Sequence, residues 1–214
     1  MDHNVLQKPL ASIEKILSYF PVNHPRLIET GQTLPTAARN GGQPGKIAFL
    51  LSGAMIYTLG EGDKQQNLGI VTGPSILGLR QLAPSGATGR YEAIAPCMVY
   101  SVNADEFVRV VEENRLWPDV VNILVTIINA LAARTAASGL QTAYDIIRSN
   151  LIYMDSETTC ALKERYTVVK YMQTFSRLSR SIILKILSEL KSGGFIEMEK
   201  GKLIRISRNL PEKF

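Results

Sequence analysis

Arg180, Ser181 and Lys185 stand close together in Ser179-Arg-Ser-Ile-Ile-Leu-Lys-Ile-Leu-Ser-Glu-Leu-Lys-Ser-Gly-Gly194, and their types and spacing suit contacts to a nucleic-acid duplex. At helical pitch these polar residues share one side, while Ile182, Ile183, Ile186, Leu187 and Leu190 make the apolar side. An arginine on the first turn of an anchored helix can take a guanine edge bidentately, and serine or lysine beside it can hold a phosphate or a base. Ser179 is placed to cap that helix with its hydroxyl, and Gly193-Gly194 to end it. Upstream, Phe175-Ser-Arg177-Leu reads as a polar turn in which Arg177 adds a further cation. Turn and helix together form the second half of a helix-turn-helix.

A wing follows without a gap. Phe195-Ile-Glu-Met-Glu199 reads as a strand, Lys200-Gly201 as its turn and Lys202-Leu-Ile-Arg-Ile206 as the returning strand. Lys200, Lys202 and Arg205 are placed for phosphate contacts. The charge distribution agrees. Residues 161–214 hold 12 Lys+Arg against 5 Asp+Glu, a net of +7, whereas residues 1–160 carry −2 of the formal total of +5. A basic excess confined to one end is the electrostatic footprint of a nucleic-acid site.

These residues need a scaffold, and 214 residues suffice for one large domain or two small ones. Hydrophobic content of 45% and charge of 20% are ordinary for a soluble globular chain. The longest apolar run, Val120 to Ala133, is interrupted by Asn122, Thr126 and Asn129 and falls short of the ~20 residues a membrane helix needs. The N-terminus has no basic segment followed by an apolar core, so the expected location is the cytoplasm, without a membrane partner. Two cysteines, Cys97 and Cys160, and two histidines, His3 and His24, are too few and too scattered for a four-ligand metal framework. No nucleophile–base pair or phosphate-cradling loop is evident, so neither an enzyme nor a cofactor is expected. Cys97 lies in an apolar segment and is expected to be a small buried hydrophobe, whereas Cys160 lies in a polar one.

Along the chain, Leu10 to Phe20 has helical spacing through Ile13, Ile16, Leu17 and Phe20. Between Gly41 and Val102, short apolar runs (Ile47–Leu51, Ala54–Leu59, Leu68–Val71 and Cys97–Val102) alternate with Gly, Pro and Asp turns, the texture of an antiparallel roll. Pro118 opens a long helix to about Ala137, in which Val121, Leu124, Ile128, Leu131 and Thr135 recur at three- and four-residue steps. That spacing predicts either a coiled-coil dimer seam or a face packed on the chain's own roll. Ser138-Gly139 reads as a hinge, followed by a helix over about Thr142–Met154. The expected fold is α+β: a sensor-like β-roll over 1–115, a dimerisation helix and hinge over 116–140, and a winged helix-turn-helix over 141–214.

This order of parts resembles the cyclic-AMP receptor/FNR family of bacterial transcription factors. The likeness is sharpest at Ser179-Arg180, the helix through Leu190, Gly194-Phe-Ile196 and the strand–glycine–strand run Phe49-Leu-Leu-Ser-Gly-Ala-Met-Ile-Tyr57. It implies a homodimeric, sequence-specific DNA-binding regulator with double-stranded DNA, a second copy and RNA polymerase as partners. The family's ligand cassette is altered. No glutamate follows Gly78 to take a ribose hydroxyl, and Thr88 is preceded by Ala87 where an arginine would meet the phosphate. Arg80 and Arg90 stand elsewhere in that region. The two cysteines also fall short of the four-cysteine cluster of the oxygen-sensing branch. In the helix-turn-helix, Arg177 replaces the usual turn glycine and Gln173 a small residue, which predicts a slightly altered helix crossing. The expectation is a regulator that ignores cyclic AMP. Two alternatives are a regulator switched by another small ligand in the roll, acting through the hinge near Gly139, and an interaction protein whose basic end docks an acidic partner.

Overall fold

The computed structural model describes residues 8–35, 45–60, 66–82, 89–138, 142–156, 161–176 and 178–212, in two compact units, residues 1–135 and 136–214. In the first unit, strands β1 (Arg26–Ile28), β2 (Thr33–Pro35), β3 (Lys46–Ser52), β4 (Ala54–Leu59), β5 (Gln66–Thr72), β6 (Ser75–Leu77), β7 (Gly89–Ala93) and β8 (Cys97–Asn103) form two antiparallel four-stranded sheets. Their orders are β1-β8-β3-β6 and β2-β7-β4-β5. Helices α1 (Leu10–Leu17) and α2 (Ala104–Glu113) belong to the same unit, as does α3 (Trp117–Ser138) up to residue 135.

Strand β3 shows why the roll holds together. Successive strand side chains point to opposite faces, and both faces of β3 are covered. Ala48 and Leu50 enter a core with Ile28, Met55, Leu77, Tyr91 and Val99. Ile47 and Phe49 turn the other way, into a core with Phe20, just beyond α1, and with Ile13, Ile16, Phe107, Val111, Val120 and Ile123 from the helices. A strand buried on both faces must read as a continuous apolar run, as Ile47–Leu51 does. Phe20 anchors the helical side, its ring 4.9 Å from Phe49 and 5.7 Å from Phe107.

The expected runs at 47–51, 54–59, 68–71 and 97–102 all fall within strands, each equal to or shorter than the observed element. Sequence reading missed β1, β2, β6 and β7, which are only three to five residues long and hold too few alternations to signal a period. The long helix begins at Trp117, one residue before Pro118. Cys97 is buried, and its thiol donates toward the carbonyls of Ala54 and Ala95, at 3.3 and 3.1 Å. Burial pushes that thiol's pKa up, away from the reactive thiolate. Cys160 and the hinge residue Gly139 lie outside the described residues.

The second unit contains α4 (Ala143–Asp155), α5 (Ala161–Arg165), α6 (Val168–Phe175), α7 (Arg180–Ser192), β9 (Ile196–Glu199) and β10 (Lys202–Ile206). Thr142 starts α4 with a reciprocal cap: the Asp145 N–H donates to Thr142 Oγ1 at 3.2 Å, and the Thr142 N–H donates to Asp145 Oδ2 at 2.9 Å. The Thr142 hydroxyl, donating to Asp145 Oδ2 at 2.8 Å, and then the Thr142 N–H hold the Asp145 carboxyl below its ordinary range. The cap therefore contributes above the carboxylate's usual pKa and is lost as pH falls through the lowered folded value. Buried Ile147, Leu151, Met154, Met172, Ile183, Leu187, Leu190 and Leu203 supply much of the unit's apolar interior.

Helix α7 ends in a two-bond cap, with the Phe195 N–H donating to Leu190 O at 2.9 Å and the Gly194 N–H to Lys191 O at 3.1 Å. This requires Gly194 at φ +70°. Gly194→Ala should cost about 1 kcal/mol in chemical denaturation, because a Cβ has ample room there and only the left-handed backbone is penalised.

Candidate nucleic-acid interface

Helix α7 is anchored by Ile183, Leu187 and Leu190, all buried. Exposed on the same helix are Arg180, at its first position, Ser181 and Lys185. Ser179 caps the helix, its Oγ accepting from the Ile182 N–H at 3.4 Å and lying 3.0 Å from Ser181 Oγ. Among the described residues, neither Arg180 nor Lys185 has an ion-pair or hydrogen-bond partner on its side chain. Two cations thus project from a rigid helix with their charge unneutralised. Arg177 lies outside the described residues. Gln173, expected to alter the helix crossing, is exposed on α6, whose buried residues are Val168, Tyr171 and Met172.

One expectation for α7 needs correction. Helical spacing puts Ile182 on the buried side, yet it is 42% exposed. The buried arc centres on Ile183, Leu187 and Leu190, and a residue one step away is turned by about 100°. Ile186, in contrast, is half-buried. Leu184, also exposed at 45%, escapes the sequence reading, although its position four residues after Arg180 places it beside that arginine on the same wheel.

The wing forms where expected, with β9 starting one residue later, at Ile196. Lys202 pairs with Glu199 across a two-residue turn in which Lys200 has φ +48° and Gly201 φ +81°. Positive φ at both positions matches the twist of a tight hairpin. The turn is docked onto the helices: the Val168 N–H at the start of α6 donates to Gly201 O at 2.8 Å, and Lys202 Nζ donates to the backbone carbonyl of Glu164. At the other end of the hairpin, Asp155 pairs with Lys163 and accepts the Ile206 N–H at 3.1 Å, while Lys163 also donates to Ile204 O at 3.1 Å. The wing cations are therefore unequal. All three are exposed, but Arg205 is ion-paired with Glu197 at 2.7 Å and Lys202 is held by α5, whereas Lys200 at the tip has no ion pair among the described residues.

The residues expected to form a seam lie on α3 next to the arc that binds it to the roll. Val120 and Ile123 are buried, and Asp119 accepts from Lys15 at 2.7 Å. Beside this arc the helix exposes Leu124, Leu131 and, most openly, Val121 and Ile128 at 53% and 60%. Val125 and Ile127 broaden this apolar stripe.

Within the roll, Tyr57 and Tyr91 face each other across the β4–β7 pair and stack at 4.5 Å. The Gly78 N–H donates to Tyr91 Oη, and Arg80 Nη1 donates to Tyr57 Oη, each at 3.4 Å. Burial pushes the Tyr91 phenol up to about 12, so it stays neutral. Tyr57 is seated so closely that a Cβ on Gly89 would fall 2.4 Å from its hydroxyl. The two phenols thus take the Gly78 N–H and an Arg80 N–H as partners. Sequence reading missed this pair, because only the sheet register brings residues 57 and 91 together. Arg90 is exposed on β7, and Ala87-Thr88 lie outside the described residues.

Comparison with known proteins agrees with this geometry. Residues 143–212 match the family described as winged helix-turn-helix DNA binding. The inhibitor of hydrogen peroxide resistance from Salmonella typhimurium is 33% identical over 160 residues, covering 74% of this chain and 76% of that protein. The c-di-GMP-responsive global regulator CLP of Xanthomonas campestris superposes with a TM-score of 0.61 at 17% identity, over 93% of this chain and all (100%) of that one. A transcriptional regulator of the CRP family from Thermus thermophilus gives a TM-score of 0.61 at 14% identity, over 85% and 92% of the two chains. Among the described residues, no helix is long and apolar enough to cross a membrane.

Proposed function

The chain belongs to the family of the inhibitor of hydrogen peroxide resistance and has the fold of the cyclic-AMP receptor/FNR regulators, and from that premise we propose that it is a cytoplasmic homodimer that binds specific DNA sequences and regulates transcription without cyclic AMP. The observation that carries this reading is the exposed, unneutralised pair Arg180 and Lys185 on anchored α7, beside a docked wing with Lys200 at its tip. A helix of this kind offers a base-reading arginine, and the wing adds a phosphate-binding cation. Ser179, Ser181 and Lys202 are the supporting contacts, with Ser179 acting mainly as the cap. RNA polymerase is the further partner that such a regulator meets at a promoter. The relative's name supports a narrower reading, in which genes of peroxide defence are among those controlled. Retention of duplex DNA that weakens steeply with salt tests the proposal. No retention at low salt would favour an acidic protein partner for the basic end.

Lys200 offers a sharper test of the wing. A lysine at φ +48° sits where asparagine or glycine is favoured. Lys200→Asn should therefore raise stability by a few tenths to about 1 kcal/mol while weakening binding to cognate and random duplexes alike. The slope of log affinity against log salt should flatten by about 0.9 for each phosphate that the wing no longer neutralises. Unchanged DNA affinity would remove the wing tip from the interface.

Independence from cyclic AMP is supported by the Tyr57–Tyr91 stack and by Arg80's hydrogen bond to Tyr57. Titration calorimetry with cyclic AMP or cyclic GMP should give no saturable heat. A micromolar dissociation constant for either would overturn this part of the proposal and point to Arg80 as the phosphate partner.

A further inference from the structure

We infer that α7 reads thymine methyl groups next to guanine, with Leu184 and Ile182 as the specificity-determining side chains. The inference rests on the DNA-binding reading above and adds the chemistry of the bases selected. Over its first two turns α7 exposes Arg180, Ser181, Ile182, Leu184 and Lys185. Ile183, Leu187 and Leu190 carry the packing of the helix onto its unit, so neither Leu184 nor Ile182 is needed to hold the fold.

A partner for this face must offer anionic and apolar groups at close intervals. The DNA major groove does so, because phosphates flank a floor on which each thymine presents a C5-methyl. The polar alternatives are missing from the helix itself. Residues 180–188 contain no Asn or Gln to read adenine bidentately, and no Asp or Glu to accept from cytosine. The first acid, Glu189, comes in the third turn. Ser181 Oγ lies within hydrogen-bonding distance of Ser179 Oγ. Base discrimination by α7 then falls to two chemistries: a cation on guanine acceptors and an aliphatic group on thymine. Leu184 lies one helical turn after Arg180 and about 40° around the axis, so both address the same half-site. Ile182 borders the face on its other edge.

The test begins by selecting duplexes from a random pool with the full-length protein and then replacing the thymines of the selected half-sites with deoxyuridine. This removes the methyl and keeps the pairing. The selected half-sites should carry thymine beside guanine, and the deoxyuridine duplex should bind about fourfold more weakly for each methyl contacted, the worth of one buried methyl group. Leu184→Ser and Ile182→Ser should each bind the thymine and deoxyuridine duplexes with a smaller difference than the unaltered protein. Unchanged affinity of the unaltered protein on the deoxyuridine duplex overturns the inference while leaving DNA binding intact, and this arm needs no variant. Full methyl dependence in both folded variants overturns the assignment to these residues. Failure to retain any duplex at low salt overturns the DNA-binding reading and this inference with it.

Discussion

Ile128→Asp should convert a dimeric protein to a monomer at micromolar concentration. Ile128 is the most exposed member of the stripe formed with Val121, Leu124 and Leu131, at 60% in the isolated chain. In a twofold-symmetric pair of α3 helices the same patch serves on both copies, so one substitution places two carboxylates in an apolar seam. Burying unpaired charge there costs several kcal/mol, enough to shift the dissociation constant by orders of magnitude. The fold of each chain should be unaffected, because Ile128 is exposed and the residues that bind α3 to the roll are the buried Val120 and Ile123. Sedimentation at graded concentrations reads the change directly. A second consequence follows for DNA: a monomer grips one half-site, and retention on a two-half-site duplex should fall far more than on a single half-site. Unaltered protein that sediments as a monomer at micromolar concentration would end the dimer proposal.

Arg180→Ala should cost roughly 1–3 kcal/mol on the cognate duplex and much less on random DNA. The arginine is exposed and makes no ion pair among the described residues, so its removal leaves the fold's own contacts in place. The weaker binding can then be read as a loss of recognition. Lys185, five residues further along α7, should give a smaller and less sequence-dependent loss. Binding measured on both duplexes at two salt concentrations separates the roles. Equal losses for Arg180→Ala on specific and random DNA would reassign it to the phosphate backbone, where no direct sequence information is carried.

Sequence alone determined the parts of this protein whose causes lie within a few neighbouring residues. The cap at Ser179, the glycine stop at Gly194, the Lys200-Gly201 turn and the apolar run of β3 follow from side-chain chemistry and backbone preference over short stretches. The helical period by itself marks Val121, Leu124, Ile128 and Leu131 as one stripe. Tertiary structure decided what depends on distant partners. Strands β1 and β2 exist only because β8 and β7 pair with them, and three residues cannot announce a strand by themselves. The stack of Tyr57 on Tyr91 comes from sheet register, which brings the two phenols to Gly78 and Arg80. The wing cations look alike in sequence, but Glu197 pairs with Arg205 and the Glu164 carbonyl holds Lys202, which leaves Lys200, among the described residues, without an ion pair. The physical reason is the same throughout. Caps, turns and periodicity are summed along contiguous residues, whereas burial and charge pairing depend on which remote segments the closed chain brings together.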